Sequence, residues 1–474
     1  MLDIRAPTRP DLITGLAKDV DFHLVDISNR EQVQQAFSAP WPLASAAPNS
    51  DPDHDRDPGP IDDLREDDDD DDDNEDGDHS TASALSAATD ITVFHTAANI
   101  RFYERDPRLL HLSDKVNVEG TQNVLDAARA VGVSVLVYTS SGSVSVRRTR
   151  LWLWPWEKRP VFWVQTIDDD DDDDARLPRR HEEMFSNYAA SKMKAERLVR
   201  QADKTPLTAP LASAGGREAR GDRRLGQRLL RTGCLRPGNG IYGTGGDILC
   251  GAYLARQVNP SWAHDILQNF IYVENAALAH FCFEQRLIEK ARGSPNPDIG
   301  GQTFGIVDDG PPVTYGDVYT VLTTLTDGRT VFPRLSVTAM LTLAHVLEWL
   351  HLLRALSASS SSPFLRRFGQ FIPAPNGDLV NLQPSIFFLT MVHLIWDDSR
   401  ARMSPEKGGL GYEPQWTTLT ALCKLVAEHK KANGLFEARS MGGGISLGFG
   451  FASVSRAVKK VIEDLGTDAT LLDE

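Results

Sequence analysis

Short apolar runs alternate with helical patterns along much of this chain, and that alternation limits the folds open to it. FHLVDIS (22–28) reads as a buried strand ending in a helix cap. NREQVQQAF (29–37) follows with Val33 and Phe37 four apart on one helical face. ITVFHTAA (91–98) is a second buried strand running into a small-residue turn. VNVEGTQNVLDAARAVGV (116–133) is a helix whose apolar stripe is Val118, Val124, Leu125 and Ala128, and VSVLVYTSS (133–141) is a β-branched third strand. Strands this apolar on both faces, joined through helices, belong in a parallel sheet covered on both sides. The expected fold class is α/β with a doubly wound parallel sheet. Further along stand a helix at 188–202, a strand and turn at 230–243, a short strand and long helix at 270–287, and a late strand at 302–309.

The net charge of −16 says little about the folded part. Residues 51–78 hold 17 acids against Arg56 and Arg65, and Asp168 to Asp174 add seven more, which leaves the remainder at +6. The stretch 38–89, rich in Pro, Asp, Ser and Ala, cannot bury enough apolar surface to offset its ordering entropy and is expected to be a disordered insertion. Residues 144–180 also stand out, with Trp152, Trp154 and Trp156 in five positions and the second aspartate run behind them. That stretch reads either as a lipid or substrate contact or as translated noncoding sequence.

Several function classes are excluded by composition. The four cysteines (Cys234, Cys250, Cys282, Cys423) are widely spaced, which opposes a disulfide scaffold and a zinc site and fits a reducing compartment. No metal site is expected. The first ten residues, MLDIRAPTRP, hold no signal-peptide core, and no basic stripe or finger spacing points to nucleic acid. SVTAMLTLAHVLEWLHLLRAL (336–356) has nearly the ~20 residues of a membrane span. It also carries His345, Glu348 and His351, so a helix packed on the domain or lying in the membrane interface is expected rather than a true span. SIFFLTMVHLIW (385–396) is a second apolar run, too short to span as a helix.

Chemistry concentrates at Tyr188-Ala-Ala-Ser-Lys192. Four residues apart on a helix, the two side chains share a face, and an ammonium there can draw the phenol from its reference ~10 toward working pH for use as a general base. A plain surface pair has the same spacing. The context decides for chemistry. A buried strand ends in Thr139-Ser140-Ser141, where strand C-termini of a parallel sheet face the ligand crevice, and Ser141 or Ser140 could hold a substrate oxygen. His95-Thr96-Ala97-Ala98 ends another strand, with side chains small enough for a dinucleotide to lie close to the backbone; Asn117 opens the helix that follows.

In this order the pieces resemble the extended short-chain dehydrogenases, and within them the 3β-hydroxysteroid dehydrogenase/isomerase and sterol-4α-carboxylate 3-dehydrogenase group. The resemblance rests on HTAA (95–98), VNVEGTQNVLDAA (116–128), VYTSS (137–141), YAASK (188–192), LRPGNGIYG (235–243) and YVENAALAH (272–280), with IWDDSRAR (395–402) and LGYEPQ (410–415) behind them. It implies a Rossmann-like sheet with a smaller C-terminal substrate-binding part. It implies Tyr188 as catalytic base, Lys192 as its partner and ribose ligand, and Ser141 or Ser140 as the holder of the substrate hydroxyl. Asn117 becomes a structural and proton-relay residue. For the cofactor it implies contacts from His95, Ala97, Ala98 and Pro237, with Asp3 on the adenosine ribose and Asp26 beside the adenine. Asp3 favours NAD over NADP by repelling a 2′-phosphate, and Arg5 nearby opposes that preference. The implied reaction is oxidation of a sterol or steroid 3β-hydroxyl to the ketone, with loss of a 4-carboxylate in the decarboxylating branch. A homodimer through 116–130 and 188–202, peripheral membrane contact, and a place in the cytoplasm or on the cytoplasmic side of the endoplasmic reticulum membrane are further expectations.

The departure lies at the front. The family's glycine loop stands 25–30 residues before the position of Asp3, so the first βα unit is expected to be missing, either through a late start or because this is a degenerate relative. Two rivals follow: a non-catalytic relative unable to bind cofactor, and an NAD-dependent epimerase or reductase acting on a non-sterol substrate. The chain is expected to divide into a partial Rossmann start (1–37), the acidic insertion (38–89), Rossmann core (90–143), an irregular insertion (144–180), core with catalytic helix and substrate part (181–330), a C-terminal substrate- and membrane-associated part (331–433) and a tail (434–474).

Overall fold

The structure is a computed structural model that describes residues 1–6, 15, 17–39, 91–153, 156, 162–169, 180–208, 228–244, 247–372 and 377–431. The expected insertion from residue 40 on, most of the second aspartate run and the expected tail lie outside the described residues.

The first elements are β1 (Leu2–Asp3), β2 (His23–Leu24) and α1 (Arg30–Ser38). β1 and β2 pair in parallel as a two-stranded sheet of their own. Asn29 caps α1 by accepting from the amides of Glu31 and Gln32, satisfying donors a helix start leaves open. β3 (Thr92–His95) leads through a π-turn at Lys115–Glu119 into α2 (Gly120–Val131), which ends where Gly132 takes a left-handed φ of 85°. Val25, Ile27, Val33 and Phe37 pack against Val124, Leu125 and Ala128, so the small sheet is held to the body through α2.

The main sheet is parallel. β4 (Val135–Thr139) sits between β3 and β7 (Leu229–Pro237), and β9 (Thr303–Ile306) flanks β7 on its far side. A short antiparallel β6 (Thr205–Pro206) also joins β7. All five residues of β4 are buried, as a strand covered on both faces requires. On one face lie α2 and α3 (Asn187–Gln201); on the other, α4 (Val273–Ala291) packs Ala279 and Phe283 against Val135 and Val137.

A second sheet runs in the order β10 (Val313–Thr314), β8 (Leu267–Gln268), β11 (His393–Trp396), β5 (Val164–Ile167). One of its strands, β5, lies within 144–180, a stretch expected to be irregular. Val164–Ile167 pairs in parallel with His393–Trp396, and Asp169 is buried, accepting from the amide of Gly305 and from Arg400. The run 385–396 divides into helix Pro384–Thr390 and strand β11. Helix α5 (Tyr315–Leu325) is followed by α6 (Val337–Ala358) and α7 (Pro363–Phe371). By length and composition α6 could cross a membrane, and only 22% of its apolar window is buried.

Candidate functional site

Helix α3 presents Tyr188, Lys192 and Glu196 one turn apart on one face. Ser186 caps it through the amide of Ala189, which fixes the start of the helix where Tyr188 stands. Lys192 is fully buried. Its Nζ donates to the carbonyl of Thr139 at the end of β4 at 2.6 Å and lies 4.3 Å from the centroid of the Tyr138 ring. Burial pulls the ammonium down to about 7, against the opposing influence of Cys234 and Glu196.

Tyr188 is half-buried. Loss of water around the phenol pushes it up to about 12, and Ser141 works in the other direction. The Lys192 ammonium expected to act on the phenol is turned onto Thr139 and Tyr138. The two serines separate clearly. Ser140 is buried, and its Oγ donates to Glu196 Oε2 at 2.5 Å. Ser141, partly exposed, pairs with Ser143 Oγ at 2.7 Å and is the one facing the phenol.

Asn117 lies on the π-turn and is 1% exposed. Its Oδ1 accepts from the amide of Asn99 at 2.7 Å, and its Nδ2 donates to the Asn99 carbonyl at 3.0 Å and to Ser191 Oγ at 2.8 Å. It thereby ties the loop after β3 to α3, and π-turns of this kind are frequent at functional sites. His95 is buried at the end of β3, 2.9 Å from Thr121 Oγ1; burial, and then Lys192, hold its imidazole near 3 and therefore neutral. Ala97 is exposed and Ala98 half-buried just beyond it. Pro237 is buried at the end of β7, level with Ile306 of β9. Asp3 and Asp26 are exposed at the C-terminal ends of β1 and β2, where each carboxylate accepts from a nearby amide, that of Arg5 or Ser28. The structure therefore links Tyr188, Lys192, Ser140, Ser141, Asn117 and His95 around the ends of β3 and β4, and leaves Asp3 and Asp26 on a separate sheet.

Sequence reasoning missed four participants. Glu196 and Arg236 form a buried ion pair beneath the serines. His280, from α4, meets Thr139 Oγ1 at 2.7 Å. Trp396 packs its indole behind Gly142, where an added Cβ would stand 2.2 Å from the indole nitrogen and 2.8 Å from the Pro237 carbonyl. The YxxxK spacing marks α3, and counting one further turn from Lys192 would have reached Glu196.

These residues fit the nicotinamide side of a dinucleotide. The indole N–H of Trp396 is buried and has no partner among the described residues, Gly142 leaves no space for a side chain beside it, and Ala97 keeps the surface after β3 low. Lys192 offers an ammonium at the same strand ends. Among the described residues no group of three His, Cys, Asp or Glu could hold a metal.

Two family models match the chain. One, described as the 3-beta hydroxysteroid dehydrogenase/isomerase family, covers residues 165–331; an NAD-binding model described as male sterility protein covers 78–209. The chain is 30% identical over 250 residues to 3 beta-hydroxysteroid dehydrogenase type 7 of Mus musculus, covering 50% of this chain and 54% of that protein. It is 27% identical over 239 residues to the decarboxylating sterol-4-alpha-carboxylate 3-dehydrogenase of Candida albicans, covering 49% and 54%. The chain thus spans about half the length of the curated relatives it matches. Among solved structures, UDP-glucose 4-epimerase from Thermotoga maritima aligns with 13% identity and a TM-score of 0.46 over 91% of this chain and 90% of that one.

Proposed function

We propose that the chain is an NAD-dependent extended short-chain dehydrogenase of the 3β-hydroxysteroid dehydrogenase family and that it oxidises a sterol or steroid 3β-hydroxyl to the 3-ketone. The observation that supports this reading is the placing of Tyr188 and Lys192 one turn apart on α3, with Lys192 Nζ on the Thr139 carbonyl at the end of β4.

Ser140 is committed to Glu196, so the substrate oxygen falls to Ser141, whose hydroxyl shares its hydrogen bonding with Ser143. With the oxygen held there, the substrate O–H proton moves to the Tyr188 phenolate. When bound, NAD supplies the acceptor for the hydride leaving C3. Lys192, at the end of β4, would hold the cofactor's ribose, and Asn117 fixes the loop after β3 along which the cofactor would lie. A 3-ketone next to a 4-carboxylate allows that carboxylate to leave as carbon dioxide. In the arrangement described here the phenol is protonated near neutral pH, so oxidation runs faster as pH rises and the phenol serves directly as proton donor in the reverse direction.

The test is a substrate comparison with NAD present: a 3β-hydroxysterol, a 3β-hydroxysterol carrying a 4-carboxylate, and a UDP-hexose. The reading expects a 3-ketone by mass spectrometry from the sterols and no epimer from the UDP-hexose. An epimerised sugar with untouched sterols would replace it with the epimerase reading.

A further inference from the structure

We propose that, in the reaction proposed above, His280 is a positioning residue: through the Thr139 hydroxyl it fixes the end of β4 and so holds Lys192 in line for the cofactor's ribose.

Thr139 is the last residue of β4, and α3 and α4 both hold it. The register of β3 on β4 ends one residue earlier, at Tyr138, and the Thr139 carbonyl accepts from Lys192 Nζ at 2.6 Å. The Thr139 hydroxyl lies 2.7 Å from His280 Nε2. Side chains alternate along a strand, so the next residue faces the other way, and Ser140 donates to Glu196 on α3. The strand end that leads into Ser141 is therefore pinned on both faces, by α3 through Glu196 and by α4 through His280.

The partners settle which atom donates. His280 Nδ1 is 2.7 Å from the carbonyl of Ala276, one turn back on α4, and a carbonyl only accepts. Nδ1 therefore carries the hydrogen. Burial holds the imidazole below its ordinary range and so neutral, which leaves Nε2 as an acceptor. Thr139 donates to it, and that one bond selects the Thr139 rotamer. The ring cannot turn away without losing the Ala276 carbonyl, and Phe94 of β3 stands edge-on to it at 6.1 Å.

This bond reaches the site through Lys192. The Tyr138 ring, 4.3 Å from Nζ, attracts the ammonium over a broad face, whereas the Thr139 carbonyl gives it a direction. A Thr139 free to turn would carry its carbonyl, and Nζ with it, off line. A misplacement of about 1 Å can slow a reaction roughly a hundredfold.

The test uses variants of the full chain with NAD. His280→Phe keeps a ring and removes the acceptor; His280→Gln offers an amide oxygen in its place. Thr139→Val keeps the shape, removes the donor, and carries the test alone should His280→Phe fail to fold. The reactivity of Lys192 toward trace acetic anhydride is read by mass spectrometry against Lys194, exposed on the same helix. No sterol is present in that measurement. His280→Phe and Thr139→Val should each raise Lys192 reactivity severalfold. Each should also lower kcat on a 3β-hydroxysterol by roughly ten- to a hundredfold at unchanged sterol KM. The double variant should lose no more than the worse single one, because both remove the same bond. His280→Gln should recover most of kcat. The proposal is overturned by unchanged Lys192 reactivity in both single variants, by losses that multiply in the double variant, or by a glutamine variant as slow as the phenylalanine one. Reactivity that rises as expected in a protein that leaves every sterol untouched upholds the positioning of Lys192 and overturns only the sterol reading.

Discussion

Glu196 is buried one helical turn beyond Lys192, and its carboxylate grips Arg236 from the adjoining strand at 2.5 and 3.1 Å. The same carboxylate accepts from Ser140, and the guanidinium together with the serine holds it below the usual carboxylate range although burial alone would raise it. One buried charge pair therefore ties α3, the end of β4 and the end of β7 together directly under the candidate site.

Removing one partner should be severe. Glu196→Ala takes the paired carboxylate away from the buried Arg236, and a loss of about 3–5 kcal/mol is expected in chemical denaturation. Glu196→Leu combined with Arg236→Met should recover most of that loss. A Glu196→Ala variant within about 1 kcal/mol of wild type, the scale of an exposed pair, would mean the pair is open to water.

Asn117→Ala strands the amide and carbonyl of Asn99 and one bond of Ser191. Each buried group left without a partner costs about 1–3 kcal/mol, so a loss of at least ~2 kcal/mol is expected. Hydrogen exchange should quicken at the Asn99 amide. Protection there equal to wild type would show that another group holds the loop.

Gly142→Ala forces a methyl into Trp396 and the Pro237 carbonyl. Overpacking of this kind costs typically about 1–3 kcal/mol. Trp396 fluorescence should shift along with the loss of stability, and an unchanged spectrum at full stability would place the indole elsewhere.

The buried Lys192 links stability to pH. Its pKa falls from 10.5 to about 7 on folding, so between those values the unfolded chain binds more protons and stability rises with pH; below about 7 the penalty is complete. The rise from this residue is up to roughly 1.4 kcal/mol per pH unit. Lys192→Met should flatten the stability profile between pH 7 and about 9, before ordinary tyrosines ionise. A variant profile as steep as wild type would show that Lys192 is already neutral when unfolded or is hydrated when folded.

The sheet and the centre of the site were legible because their signals are local. Continuous β-branched runs announced β3 and β4, and the spacing of Tyr188 and Lys192 announced α3. Glu196 was hidden because KMKAERLVR reads as a solvated helical face, and only the fold brings Arg236 against it. Val164–Ile167 was hidden by the tryptophans before it and the aspartates after it; its partner β11 lies more than 200 residues away, beyond the reach of any local pattern. Which serine faces Tyr188 could not be read from the sequence either, since Ser140 and Ser141 are neighbours and only the strand's pleat separates them, one inward to Glu196 and one outward.

The central claim is that Tyr188 is the group exchanging the proton with the sterol oxygen. The most direct test measures NADH formation from a 3β-hydroxysterol by wild type and by Tyr188→Phe, with NAD binding followed by calorimetry in both. The account predicts that the variant binds NAD within a few-fold of wild type and loses at least about 100-fold in kcat, the scale of a lost general base. A variant that turns over at the wild-type rate, or a wild type that binds NAD and leaves the sterol untouched, would contradict it.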